Sequence, residues 1–254
     1  MYFDTHCHYD FKQFDEDRDD LLGEVLPGFG VSGVVNAGIN LKSSKAGLAL
    51  AKRYGYVYAA LGFHPHNASQ MRDGDLALFR EMAKNPEVVA IGEIGLDFYY
   101  DHSPRDVQIK CFEQQLELAC EIGLPVIVHS REACEQVFEI LAAKRVGERV
   151  GGVLHCFAGT AALGEKYVDM GFYIGVGGVV TYKGGGENIR NIPIQRLVIE
   201  TDCPYLAPVP QRGRRNDSQN LFYIAEKIGK ILGKTCEEVA EVTTQNARKL
   251  FCIE

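Results

Sequence analysis

Eight short runs rich in β-branched, aromatic and small apolar residues recur along this chain of 254 residues, with longer amphipathic stretches between them. The runs read as strands over 2–6, 33–37, 57–62, 88–93, 125–129, 152–155, 172–175 and 197–202. Helical patterns lie between them at 42–53, 75–84, 105–121 and 132–144. The stretch Gln114-Gln115-Leu116-Glu117-Leu118-Ala119 is typical, being made of strong helix formers. Parallel strands need a crossover at each step, and eight strands each followed by a helix, in about 250 residues, is the arithmetic of a (β/α)8 TIM barrel. An open doubly wound sheet is the main competitor, disfavoured because no G-x-G-x-x-G turn follows the first strand. No linker, repeat or low-complexity tract divides the chain. It is expected to form a single α/β domain over 1–254, with helices at 221–232 and 237–251 packed on the outside.

Bulk properties exclude several classes. The apolar stretches are far too short to span a bilayer. The N-terminus reaches Asp4 with no early lysine or arginine, so it does not read as a signal peptide. Eight scattered cysteines without a C-x-x-C pair read as reduced, mostly buried thiols, which makes a cytoplasmic location the expectation. A net charge of −7 argues against broad coating of nucleic acid, which relies on many Lys/Arg–phosphate contacts, but not against an enzyme that meets a few phosphates locally. Arg212, Arg214 and Arg215, in a loop bounded by proline and glycine, are suited to such contacts; a solvated loop is the plainer alternative.

Active sites of this architecture are built at the C-terminal ends of the strands. There the chain places His6-Cys7-His8 after the first run, His64-Pro65-His66 after the third, Glu93 at the fourth, His129 at the fifth, His155 at the sixth and Asp202 at the eighth. Alternation turns His6 and His8 to one side of their strand and Cys7 to the other. Imidazoles and carboxylates are ligands for divalent metals. Four histidines and two carboxylates exceed what one tetrahedral ion uses, so a dinuclear site is the economical reading, with Glu93 as the natural bridge. The same alternation aims Cys7, Cys156 and Cys203 out of the barrel as packing residues. It sets Asp4 behind His6, and Glu200 behind Asp202, where both either orient ligands by hydrogen bonds or satisfy other interior polar groups.

Six segments in order, Asp4-Thr5-His6-Cys7-His8, Gly62-Phe63-His64-Pro65-His66, Gly92-Glu93-Ile94-Gly95-Leu96-Asp97-Phe98-Tyr99, Pro125-Val126-Ile127-Val128-His129-Ser130-Arg131, Leu154-His155-Cys156-Phe157 and Glu200-Thr201-Asp202-Cys203-Pro204-Tyr205-Leu206, resemble the TatD family of metal-dependent hydrolases. The resemblance runs from the N-terminus to about Asn246-Ala247. It implies a TIM-barrel enzyme of the deoxyribonuclease type, in which His6, His8, Glu93 and Asp202 hold one divalent ion and Glu93, His129 and His155 the second. The implied reaction is phosphodiester hydrolysis, of DNA or a related substrate, by a water that the two ions activate. Asp202 is the candidate general base. His64 and Arg131, close to the rim, are candidates for holding the substrate phosphate, whereas His66 and His102 are expected to belong to loop structure. One departure is visible: where the family loop usually reads Arg-Gly-Lys-x-Asn-Glu-Pro, this chain has Arg212-Gly213-Arg214-Arg215-Asn216-Asp217-Ser218.

Two rival readings follow from the same residues. A metal-dependent deacylase or amidohydrolase, acting on an aminoacyl ester or amide, would use the same pair of ions. Glu93, standing where many amidohydrolases carry a carbamylated lysine, disfavours its small-ring branch. A barrel retained as an inactive scaffold would be expected to lack a ligand, and all six are present. No membrane and no obligate protein partner is implied.

Overall fold

The computed structural model describes residues 1–253. Eight parallel strands follow one another in sequence order around a single sheet: β1 (Tyr2–Cys7), β2 (Val31–Ala37), β3 (Val57–Leu61), β4 (Val88–Asp97), β5 (Val126–Arg131), β6 (Gly152–Leu154), β7 (Tyr173–Val176) and β8 (Leu197–Ile199). The seam between first and last is closed at the C-terminal edge of the sheet. Cys7 and Cys203 form a parallel bridge, and the N–H groups of Asp202 and His8 donate to the carbonyls of His6 and Cys203, at 2.9 Å each. This is the expected TIM barrel.

Side chains from every strand fill the barrel interior. Phe3, Val35, Ala60, Ala90, Ile127, Val153, Tyr173 and Val198 form an inner apolar cluster, as a barrel of this size requires to exclude water. The C-terminal helix Cys236–Leu250 does not simply lie outside, as the sequence suggests. Its Ala247 and Leu250, with Phe251 just beyond, belong to that inner cluster, and the Phe251 ring lies 6.3 Å from that of Phe3. Phe3 is the second residue of β1, at the N-terminal end of the barrel, so the segment from Ala247 to Phe251 plugs the end opposite the predicted site.

Three further differences matter for the site. The ladder between β4 and β5 runs four residues past Glu93, pairing Gly95 with His129 and Asp97 with Arg131. Gly95 permits this because its φ is +145° and a Cβ there would lie 1.9 Å from the His129 carbonyl oxygen. Conversely, β6 and β8 stop at Leu154 and Ile199, and Cys156 and Asp202 take left-handed φ values of 42° and 55°. Finally, β7 is followed by 3-10 turns (Gly178–Thr181, Glu187–Ile189, Ile194–Arg196), so the strict strand–helix alternation fails there. Three glycines in a row, Gly184–Gly186, account for the lack of a regular crossover helix.

Candidate metal centre

His6 and His8 flank the seam, where the backbone bonds to Asp202 and Cys203 bring both ends of the barrel together. Four donor atoms converge. His6 Nε2 lies 3.2 Å from His8 Nε2, 3.3 Å from Glu93 Oε2 and 3.8 Å from Asp202 Oδ1, while His8 Nε2 lies 3.8 Å from that Glu93 oxygen and 3.3 Å from Asp202 Oδ1. Donors about 2.1 Å from a common tetrahedral centre are about 3.4 Å apart, so these spacings fit one divalent ion. The tautomer of His8 agrees. Its Nδ1–H donates to the Ala37 carbonyl at 2.9 Å, which leaves a lone pair on Nε2 facing carboxylate oxygens.

Glu93 turns its other oxygen to a second group. Oε1 lies 2.9 Å from His129 Nδ1, 3.5 Å from His64 Nε2 and 4.0 Å from His155 Nε2. One carboxylate thus has an oxygen in each cluster, as a bridging ligand requires. His64 differs from His8 in tautomer. Its Nδ1 accepts the His66 backbone N–H at 3.1 Å, so Nε2 carries the proton and presents a donor, suited to an oxyanion rather than a cation. His155 stacks on His6 at 3.6 Å between ring centres. Its Nδ1 is 2.9 Å from Glu200 Oε1 but too far out of line for a hydrogen bond, so the pair is held by charge.

Electrostatics favour cations here. Burial acts to lower every buried imidazole, and it prevails at His6 and, strongly, at His64. At His8 it is outweighed by Asp202, at His129 by Asp97 and Glu93, and at His155 by Glu200, so these three are raised. Burial works against the charge on Glu93 and Asp202, yet the surrounding histidines hold both carboxyls below their ordinary values. A buried centre whose two carboxylates stay ionised among imidazoles is electrically suited to divalent ions.

The structure therefore brings His6, His8, Glu93, His129, His155 and Asp202 together, with His64 beside them and Arg131 outside at the rim. Two residues are better placed than the sequence suggested. Asp97, buried at the end of β4, accepts from His66 Nε2 at 2.9 Å and lies 3.2 Å from His129 Nε2. His66 is therefore tied to the site rather than to loop structure alone. The signal was the period-two spacing of Glu93, Gly95 and Asp97, which points both acids the same way if the strand continues.

Glu200 and Cys156 depart from simple alternation, because β6 and β8 end early. Glu200 serves His155, Thr5 and the Cys156 backbone N–H rather than Asp202. Asp4 accepts from Thr201 N and Oγ1, from Ser218 Oγ and from the His6 N–H, so it fixes the chain around the seam rather than a ring. Cys7 and Cys203 are fully buried packing residues. Cys156 is different: its left-handed backbone sets it beside His155 and Glu200 instead of aiming it outward. In the loop after β8, Arg215 is committed to Asp17 at 2.8 and 2.5 Å and to the Gln13 carbonyl at 2.7 Å, Arg212 lies over the Tyr182 ring, and Arg214 reaches Gln211.

Comparison with known proteins agrees with this geometry. The family model described as TatD related DNase matches residues 3–252. The chain is 41% identical over 256 residues to the metal-dependent hydrolase YabD of Bacillus subtilis, covering 100% of both chains. It is 37% identical over 257 residues to the 3'-5' ssDNA/RNA exonuclease TatD of Salmonella typhimurium, covering 98% of each. The crystal structure of the TatD homologue YjjV from Escherichia coli superposes with a TM-score of 0.92 at 31% identity, covering 100% of this chain and 98% of that one. The chain belongs to the TatD-related DNase family of metal-dependent hydrolases.

Proposed function

We propose that this chain hydrolyses phosphodiester bonds of nucleic acid, with DNA as the expected substrate, using two divalent ions. One is held by His6, His8, Glu93 and Asp202, and the other by Glu93, His129 and His155. The observation that carries the reading is the division of Glu93, Oε2 toward the first cluster and Oε1 toward the second. The activity on single-stranded DNA and RNA named for the Salmonella relative supports the substrate class. The eight free thiols fit a reducing, cytoplasmic setting, and among the described residues no helix is long and apolar enough to cross a membrane.

When bound, the ions supply Lewis acidity, acidifying the attacking water and offsetting charge that builds on the phosphate. The chain's own residues do the rest. Asp202 has a side chain 16% exposed against 4% for Glu93, so it is the cluster carboxylate open to water. Ionised by its histidine neighbours, it accepts the proton of the attacking water. Neutral His64 directs its Nε2–H at the phosphate oxygens, and Arg131 contributes charge at the rim. The Phe11 ring stacks on His8 at 4.7 Å and His155 on His6 at 3.6 Å, so the rings of the first cluster brace one another.

The test is turnover by protein reconstituted in turn with zinc, manganese, magnesium and cobalt, on single-stranded DNA, a flush duplex, a generic phosphodiester and an aminoacyl ester. Metal-dependent cleavage of the DNA is expected, with losses of about 100-fold or more in His6→Ala and Asp202→Ala. No metal-dependent turnover of any phosphodiester, or full activity in both variants, would sink the nuclease reading. Metal analysis returning one ion per chain or fewer after reconstitution would sink the dinuclear one.

A further inference from the structure

Beyond Asp97 the β4 segment emerges at the rim as Phe98-Tyr99-Tyr100. Tyr99 is 54% exposed and Tyr100 48%, a large outlay of aromatic surface beside the metal centre. The two rings meet edge to face at 4.8 Å, and the Arg131 guanidinium lies over both, 4.3 Å from the first centre and 4.6 Å from the second. Among the described residues no carboxylate pairs with Arg131, so its charge is available to an incoming anion. His102 stacks parallel to Tyr100 at 5.5 Å and His66 meets it edge-on at 5.5 Å.

The placement of these rings is not left to a loose loop. Asp97 Oδ1 accepts the backbone N–H groups of Tyr99, at 3.1 Å, and Tyr100, at 2.9 Å. Its other oxygen holds His66 and lies against His129. The aromatic pair is thus one carboxylate away from a proposed metal ligand. Half-exposed aromatic rings, with the outer face of Tyr99 left to solvent, joined to a cation with no carboxylate partner, match a polymer that alternates phosphates with flat rings. In a duplex those ring faces are covered by neighbouring base pairs; in a single strand they are free to stack.

We propose that Tyr99 and Tyr100, with the Arg131 guanidinium over their rings, form a stacking platform for the unpaired bases of a nucleic-acid strand next to the metal centre, and so select single strands over duplexes. This rests on the nuclease reading above. Arg131 meets the phosphate between stacked bases, and because every base has a π face the platform is tolerant of sequence. Preference for single strands then arises at the rim, apart from the chemistry at the ions.

The experiment compares wild type with the double variant Tyr99→Leu/Tyr100→Leu, and with Tyr99→Phe/Tyr100→Phe as the conservative control. Substrates are a single-stranded oligonucleotide, the same strand made abasic at one position at a time, its flush duplex, and bis(p-nitrophenyl) phosphate. The leucine variant is expected to raise KM for the single strand about 10-fold or more, with a smaller effect on kcat. Its single-strand to duplex preference falls by a similar factor, and the phenylalanine variant retains both. Wild type on a strand abasic near the cleaved bond shows the same rise in KM, and combining that substrate with the leucine variant adds little further. The inference is overturned if the two losses add in full, if the phenylalanine variant loses as much as the leucine one, or if the leucine variant loses equally on oligonucleotide and small diester. Wild type that cleaves neither substrate overturns the nuclease reading itself, a result distinct from all three.

Discussion

Asp97 shows how one side chain serves several parts of the site. It is buried, and although burial opposes its charge, His129, the Tyr100 N–H and His66 keep it ionised. Asp97→Asn keeps the shape but weakens the hold on His129 and His66. The expected result is a 10- to 100-fold loss of metal affinity or activity, read by metal titration of the folded variant; an unchanged affinity and rate would assign Asp97 to structure alone. The ligand types were legible in the sequence because imidazoles and carboxylates at successive strand ends have few other uses. Asp97 was missed because the strand was expected to stop at the first acid. The different tautomers of His8 and His64 were beyond sequence altogether. They depend on whether the other ring nitrogen meets a carbonyl or an N–H, which the folded backbone decides.

At the level of elements, the strands and most helices were readable because period-two and period-3.6 patterns are strong in a barrel. What failed did so for local reasons. Left-handed residues after β6 and β8 broke the alternation that was used to aim Cys156 and Glu200, and the glycine-rich segment after β7 formed turns. The basic loop illustrates a third limit, since sequence does not say which arginine already has an anion. Arg215 fastens that loop to Asp17 and Gln13, and its hydrogen bond and charge hold Asp17 below the usual carboxyl range. A depressed carboxyl contributes stability above its unfolded pKa, near 4, and loses it as pH falls through the folded value. Arg215→Ala is therefore expected to cost about 1 kcal/mol at pH 7, since both partners are partly exposed. The difference should shrink toward pH 3 in denaturant unfolding. A gap independent of pH would mean that the carbonyl contact or packing on Phe14, 4.6 Å away, matters more than the charge.

For the whole molecule, the ions are expected to act as fasteners as well as cofactors. A ligand that binds only the folded state at 100 times its Kd adds about 2.7 kcal/mol, or about 5–10 °C in a chain of this size. Wild type should show that rise on adding zinc or manganese. Glu93→Gln, which removes the charge shared by both clusters, should lose most of it. Equal shifts in the two proteins, measured by calorimetry, would place the stabilising ions elsewhere.

The seam has a consequence in time. His6 and His8 leave the ribosome almost two hundred residues before Asp202 and the backbone that bonds them at Cys203. Contacts that distant in sequence are slow to form. Until then a nascent chain carries at most His6, His8 and Glu93 of its first cluster, without a means of closing it. A metal-dependent hydrolase of this family therefore stays unarmed until Asp202 itself has been made.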